Sequence, residues 1–189
     1  MADIVDVIKA QHREVEKLLE KAEEGGPAAA GFLQQVNDLL KPHSEAEESF
    51  VYPTIRERRE DEADQVHDSV AEHHHIEELL EELVSTDPET PGYDGKLAAL
   101  VGELSHHVEE EEQDLLPVLA KVLSAEEREE MGQRFARETG AGDRPAAAAT
   151  EAGGKEPTKE ELYEKAQEQD VPGRSSMTKD ELKDAVQSD

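Results

Sequence analysis

His43-Ser44-Glu45-Ala46-Glu47-Glu48, with Pro53 ten residues after the histidine, recurs as His107-Val108-Glu109-Glu110-Glu111-Glu112, with Pro117 ten residues on. A histidine and a carboxylate four residues apart sit one turn above each other on the same helical face. Two copies on two helices would bring two imidazoles and two carboxylates together in a bundle interior. That is the donor set a hard-to-borderline transition metal needs.

Four long segments around these repeats carry a helical period. The first runs from about Asp3 to Glu24, with Ile4, Ile8, Val15 and Leu19 on one stripe, Asp3 as N-cap and Gly25-Gly26-Pro27 as stop. The second, about Ala28 to Arg59, is interrupted by Pro42 and Pro53, so kinks or a short break are expected there. The third, about Glu60 to Val84, aligns Val66, Val70, Ile76, Leu80 and Leu83, and the fourth, about Asp94 to Leu123, aligns Leu97, Leu100 and Leu104. Short connections make neighbours antiparallel, and an all-α, up-down-up-down four-helix bundle is the simplest packing. Ser124-Ala125-Glu126-Glu127 is a capping box that opens a shorter fifth helix.

One histidine per helix falls on the apolar stripe: His12, His43, His73 and His107. Glu47 and Glu111 are in phase with two of them. His67, His74, His75 and His106 fall off the stripes and read as surface residues. Four buried imidazoles and two buried carboxylates would be severely destabilising without partners. A metal cluster resolves that cost. Six protein ligands exceed the tetrahedral four of zinc, and two shared glutamates suit a bridged pair of ions. Mixed imidazole and carboxylate ligation favours iron, with manganese or zinc as substitutes.

His12 with Val15 and Leu18-Leu19, His43-x-x-x-Glu47-Glu48 with Tyr52-Pro53, Glu72-His73 with Ile76 and Leu79-Leu80, and His107-x-x-x-Glu111-Glu112 with Pro117 resemble the hemerythrin HHE cation-binding domain over residues 1–137. The resemblance implies a four-helix bundle holding a non-haem di-iron centre of two iron ions. It makes His12, His43, His73 and His107 terminal ligands, with Glu47 and Glu111 as bridging carboxylates. Two departures stand out. Oxygen-carrying hemerythrins have a second histidine four residues before the equivalent of His73, where this chain has Ser69. Their fourth-helix carboxylate lies five residues after the histidine, whereas the repeat here points to four. Glu77, four residues after His73, is a candidate seventh ligand.

Beyond the fifth helix the composition changes. Residues 138–157 are rich in alanine, glycine and charge without an apolar period, and read as a flexible linker. In residues 158–189, capping boxes at Thr158-Lys159-Glu160-Glu161 and Thr178-Lys179-Asp180-Glu181 open two short helices around an extended stretch. Thr158 to Ala166 and Val171 to Leu182 resemble SAP-like or Rho N-terminal-like helix–extended-loop–helix modules, which often accompany nucleic-acid functions. Residues 155–189 hold six basic and ten acidic side chains, so docking to a protein partner fits better than direct contact with nucleic acid.

Composition sets the remaining bounds. The 189 residues carry a formal net charge of −28, which opposes non-specific binding to nucleic acid or anionic lipid. With no cysteine, disulfides, thiolate zinc sites, iron–sulfur clusters and cysteine nucleophiles are excluded. The acidic start, Met1 to Asp6, lacks a basic region followed by an apolar stretch, and no apolar run is long enough to span a bilayer. A cytoplasmic protein with no membrane contact is expected. Its expected role is binding or reacting with a small diatomic or peroxide ligand (O2, NO or peroxide) in sensing or oxidative-stress defence. A catalase- or peroxidase-like enzyme, and an iron storage or sensing protein, are the rivals.

Overall fold

A computed structural model describes residues 3–26 and 28–140. Residues 141–157 of the expected linker and the whole C-terminal module lie outside the described residues, while Glu138 and Thr139, expected to open the linker, instead end and cap the fifth helix. Helix α1 spans Ile4–Glu23, with the Asp3 side chain accepting from the Val5 N–H as expected of an N-cap. Then follow α2 (Ala29–Ala46), α3 (Tyr52–Arg58), α4 (Ala63–Ser85), α5 (Tyr93–Glu110), α6 (Leu116–Val122) and α7 (Ala125–Glu138). The Ser124–Glu127 capping box that opens α7 is present in both its hydrogen bonds.

The proline interruptions do not break the second or fourth rod. Pro42 sits inside α2. Between α2 and α3 the backbone widens into a π turn over Glu47–Val51, and between α5 and α6 into a second one over Glu111–Leu115. The cause is local: Pro53 and Pro117 have no N–H to give the carbonyl four residues back, and their rings crowd it. One extra residue in the turn relieves both problems. The Tyr52 N–H bonds the Glu47 carbonyl, and the Leu116 N–H the Glu111 carbonyl, each five residues back. Both π turns therefore begin on the glutamates of the repeat.

The long helices close a ring, with α1 packed on α2, α2 on α4, α4 on α5 and α5 on α1. Helix α7 caps one end by packing on α1 and α2. Arg128 fastens it there, donating to Asp3 Oδ2 at 2.6 Å and to the Ala120 and Leu123 carbonyls.

The apolar interior is split in two. One cluster gathers Ile4, Ile8, Phe50, Ile55, Leu115, Leu119 and Phe135; the other gathers Val15, Leu19, Leu33, Val36, Leu80, Leu100 and Leu104. A polar layer made by the four inward histidines lies between them in sequence on every rod: His12 between Ile8 and Val15, His43 between Leu40 and Phe50, His73 between Val66 and Ile76, His107 between Leu104 and Leu115. Among the described residues no helix is long and apolar enough to cross a membrane.

Candidate metal centre

Each of the six sequence-predicted residues is buried: His12, His43, His73 and His107 from α1, α2, α4 and α5, and Glu47 and Glu111 from the first positions of the two π turns. Glu47 is fully buried and Glu111 is 1% exposed. Their ligand atoms converge in two groups. His12, His43, Glu47 and Glu111 form one, and Glu47, His73 and His107 form the other, so Glu47 is common to both. His67, His74, His75 and His106 are exposed, and Glu77 joins neither buried group. A third grouping of Glu72, His106 and Glu110 lies at the surface.

The inner contacts are short. Glu47 Oε1 is 3.1 Å from His43 Nε2, Glu47 Oε2 is 3.3 Å from His73 Nε2, and Glu111 Oε2 is 3.2 Å from His12 Nε2. Yet both carboxylates and His12 Nε2 lack any hydrogen bond of acceptable geometry. Buried polar atoms are otherwise nearly always paired. Here the ligand atoms of each group instead lie within 4.8 Å of one another. His73 Nε2 and His107 Nε2 face each other at 3.0 Å, a contact between two acceptors once both rings are neutral. A cation satisfies all of these atoms together, so the donor set fits a metal pair.

The outer nitrogens show a second regularity that the sequence reading missed. His12 Nδ1 donates to Glu112 at 3.0 Å, His43 Nδ1 to Gln11 Oε1 at 2.8 Å, His73 Nδ1 to Glu48 at 3.0 Å and His107 Nδ1 to Glu72 at 2.9 Å. Each rod thus holds the histidine of the next: α1 holds α2, the π turn after α2 holds α4, α4 holds α5, and the π turn after α5 holds α1. These bonds fix each ring's orientation and leave its Nε2 free to face the centre. The signal was present in sequence: Glu48 and Glu112 directly follow the inward glutamates, and Gln11 and Glu72 directly precede His12 and His73. As members of acidic runs, Glu48 and Glu112 read as solvated face.

The charge state follows from this packing. Burial opposes a charged His12, but the Glu111 and Glu112 carboxylates outweigh it and raise its pKa from 6.5 to about 9. At His73 burial is likewise overcome, by Glu47 and Glu48, and the pKa rises to about 10. Burial pushes the Glu47 carboxyl up, yet His43 and His73 hold it well below the usual carboxylate range. Without metal, protons on His12 and His73 thus offset the buried carboxylates beside them.

Two further groups reach the layer. Tyr52 Oη lies 3.4 Å from His73 Nε2, with the two rings stacked at 5.5 Å. Phe135 of α7 meets His43 edge-on at 5.4 Å. A small cavity of about 10 Å³ borders the four histidines, walled by Val15, Leu40, Ile76, Leu104 and Val108, with Ser44 as its one hydroxyl. That is room for about one water-sized molecule.

Comparison with known proteins agrees with this geometry. The family model described as the Hemerythrin HHE cation binding domain matches residues 3–119. A protein named DNA nickase, from Nostoc sp. (strain PCC 7120 / SAG 25.82 / UTEX 2576), is 27% identical over 136 residues, covering 70% of this chain. The match spans only 38% of that relative's length. No solved structure matches the chain.

Proposed function

The chain belongs to the hemerythrin HHE cation-binding family, and from that membership we propose that it holds two metal ions, chiefly iron, and binds or reacts with a small ligand such as O2, NO or peroxide. The observation that carries this reading is the sharing of Glu47 between two buried donor groups, which suits a bridged pair rather than one tetrahedral ion. His12, His43, Glu47 and Glu111 would hold one ion, and Glu47, His73 and His107 the other. Once bound, iron would supply electrons and an open position for the small ligand.

The residues around the layer define what can approach it. The five aliphatic walls of the cavity disfavour charged solutes, and its room for about one water-sized molecule restricts entry to the smallest ligands. The Nδ1 bonds hold the imidazoles against rotation when a ligand enters. Sensing or oxidative-stress defence is the role this selectivity serves. Elemental analysis of full-length protein reconstituted with ferrous iron under anaerobic conditions tests the reading. Two irons per chain support it, and one tightly bound zinc with no second metal overturns it.

A second reading rests on the Nostoc relative, whose name assigns it DNA nicking. The net charge of −28 works against a nuclease, because phosphate contacts supply most affinity for duplex DNA. Incubating supercoiled plasmid with the metal-loaded protein decides the matter. Intact plasmid removes that reading, and nicked circles that vanish when His107 is replaced would establish it.

A further inference from the structure

The two donor groups are unequal. The first offers four residues and the second only three, Glu47, His73 and His107. The helical position one turn before His73 adds nothing, since the Ser69 hydroxyl donates to its own helix at Gln65 O, 3.1 Å away. Beside this poorer group stands a phenol.

We propose that Tyr52 is a metal ligand, its phenolic oxygen completing the position formed by His73, His107 and Glu47. The proposal rests on the di-metal reading above and adds to its ligand set. Tyr52 is 1% exposed, and its Oη is 3.4 Å from His73 Nε2, the nitrogen that faces the centre. Stacking on His73 fixes the ring, with 21° between the planes, and so sets the direction of the oxygen. Phenolate oxygen is a hard, anionic donor of the kind ferric iron favours over a further soft one.

The backbone explains how a residue five after Glu47 reaches the same layer. In a regular α-helix that position lies about 140° round the axis from Glu47. The π turn over Glu47–Val51 spends an extra residue and swings Tyr52 back toward the glutamate's side. The other half of the molecule shows what is lost without the phenol. Its π turn over Glu111–Leu115 leads to Leu116 at the matching place, fully buried in the apolar cluster. One half of the repeat therefore carries an oxygen donor where the other carries the aliphatic side chain of a leucine. On coordination the phenolic proton leaves to solvent, and the bond to the metal replaces the O–H bond.

Resonance Raman and visible spectra of the full chain, loaded with ferric iron and assayed for iron content, test the assignment. The expected result is a phenolate-to-iron charge-transfer band with enhanced tyrosine ring modes. Tyr52→Phe should abolish them and lower the bound iron by no more than one equivalent, whereas Tyr93→Phe should leave them in place. Should Tyr52→Phe fail to fold, ring-deuterated tyrosine in the unaltered chain must shift the enhanced modes. Two irons bound with no phenolate band would overturn the proposal and leave the di-metal reading standing. A band that survives Tyr52→Phe would do the same. Failure of the unaltered chain to take up a second iron would sink both.

Discussion

Gln11 Nε2 donates to Thr139 Oγ1 at 2.7 Å, a buried hydrogen bond that joins α1 to the residue capping α7. The Thr139 hydroxyl spends its proton on the Phe135 carbonyl at 2.9 Å, so toward Gln11 it can only accept. That choice leaves Gln11 Oε1 for the Nδ1–H of His43. A chain of three hydrogen bonds thus sets which nitrogen of His43 carries the proton.

Breaking that chain should weaken the metal centre. Gln11→Ala leaves the His43 Nδ1–H buried without an acceptor and should cost about 10- to 100-fold in metal affinity, the usual range for such outer partners. Thr139→Val should lose less, because Gln11 stays in place. Competition with a chelator of known affinity measures both. Equal affinity for Gln11→Ala and the unaltered protein would show that the contact does not orient His43.

Direct donors and surface histidines should separate cleanly. His43→Ala, His73→Ala and His107→Ala should each lose most of the metal, and His74→Ala and His75→Ala almost none, since their side chains are exposed. Metal content by elemental analysis is the readout. A site emptied by His75→Ala would mean that the inward face of α4 is misassigned.

Metal uptake should release protons and strengthen with pH. In the metal-free protein His12 and His73 titrate at about 9 and about 10, so both are protonated at neutral pH and both must lose a proton to bind metal. Roughly two protons per chain should appear from these rings on loading near pH 7, measurable from buffer-dependent calorimetric heats. For metal-free stability the sign is reversed. A histidine with a raised pKa contributes fully below its unfolded value of 6.5, and this contribution is lost as pH rises through about 9 to 10. Glu47, held well below its ordinary 4.5, stabilises above that value and ceases to do so as pH falls. The metal-free bundle should therefore melt highest between mild acid and neutrality. A melting temperature that climbs steadily to pH 10 would contradict this.

Metal should also raise the melting temperature of the bundle. At a free metal concentration of 100 times Kd, mass action adds about 2.7 kcal/mol. For a domain of this size that is a shift on the order of 10 °C. Superposable scans with and without iron would argue against a buried site.

Much of this was legible before any coordinates. Periodicity marked the four rods and the six inward residues, because one face of each helix must be apolar and a histidine there stands out, and the Ser124–Glu127 capping box marked the fifth helix. What stayed hidden depends on the partner element. Nothing local distinguishes Glu48, which holds His73 across the bundle, from Glu45, which faces solvent one turn away. The prolines were visible, but whether a helix kinks, breaks or widens depends on what the packed neighbours tolerate. Here it widens, and that also conceals Tyr52, whose place on a regular wheel is away from the site.

The outer ring of hydrogen bonds has an electrical handedness. Behind His43 stands a neutral amide, and behind His12 a carboxylate already neutralised by Arg13, which reaches both Glu112 oxygens at 2.8 Å. Behind His73 and His107 stand Glu48 and Glu72, whose described contacts include no arginine or lysine. The outer ring is thus more negative on the side of α4 and α5, whereas the additional inner carboxylate, Glu111, stands with His12 and His43. Two like ions placed in the layer would therefore meet unlike surroundings: four donors backed by an amide and a neutralised carboxylate on one side, three donors backed by two carboxylates on the other.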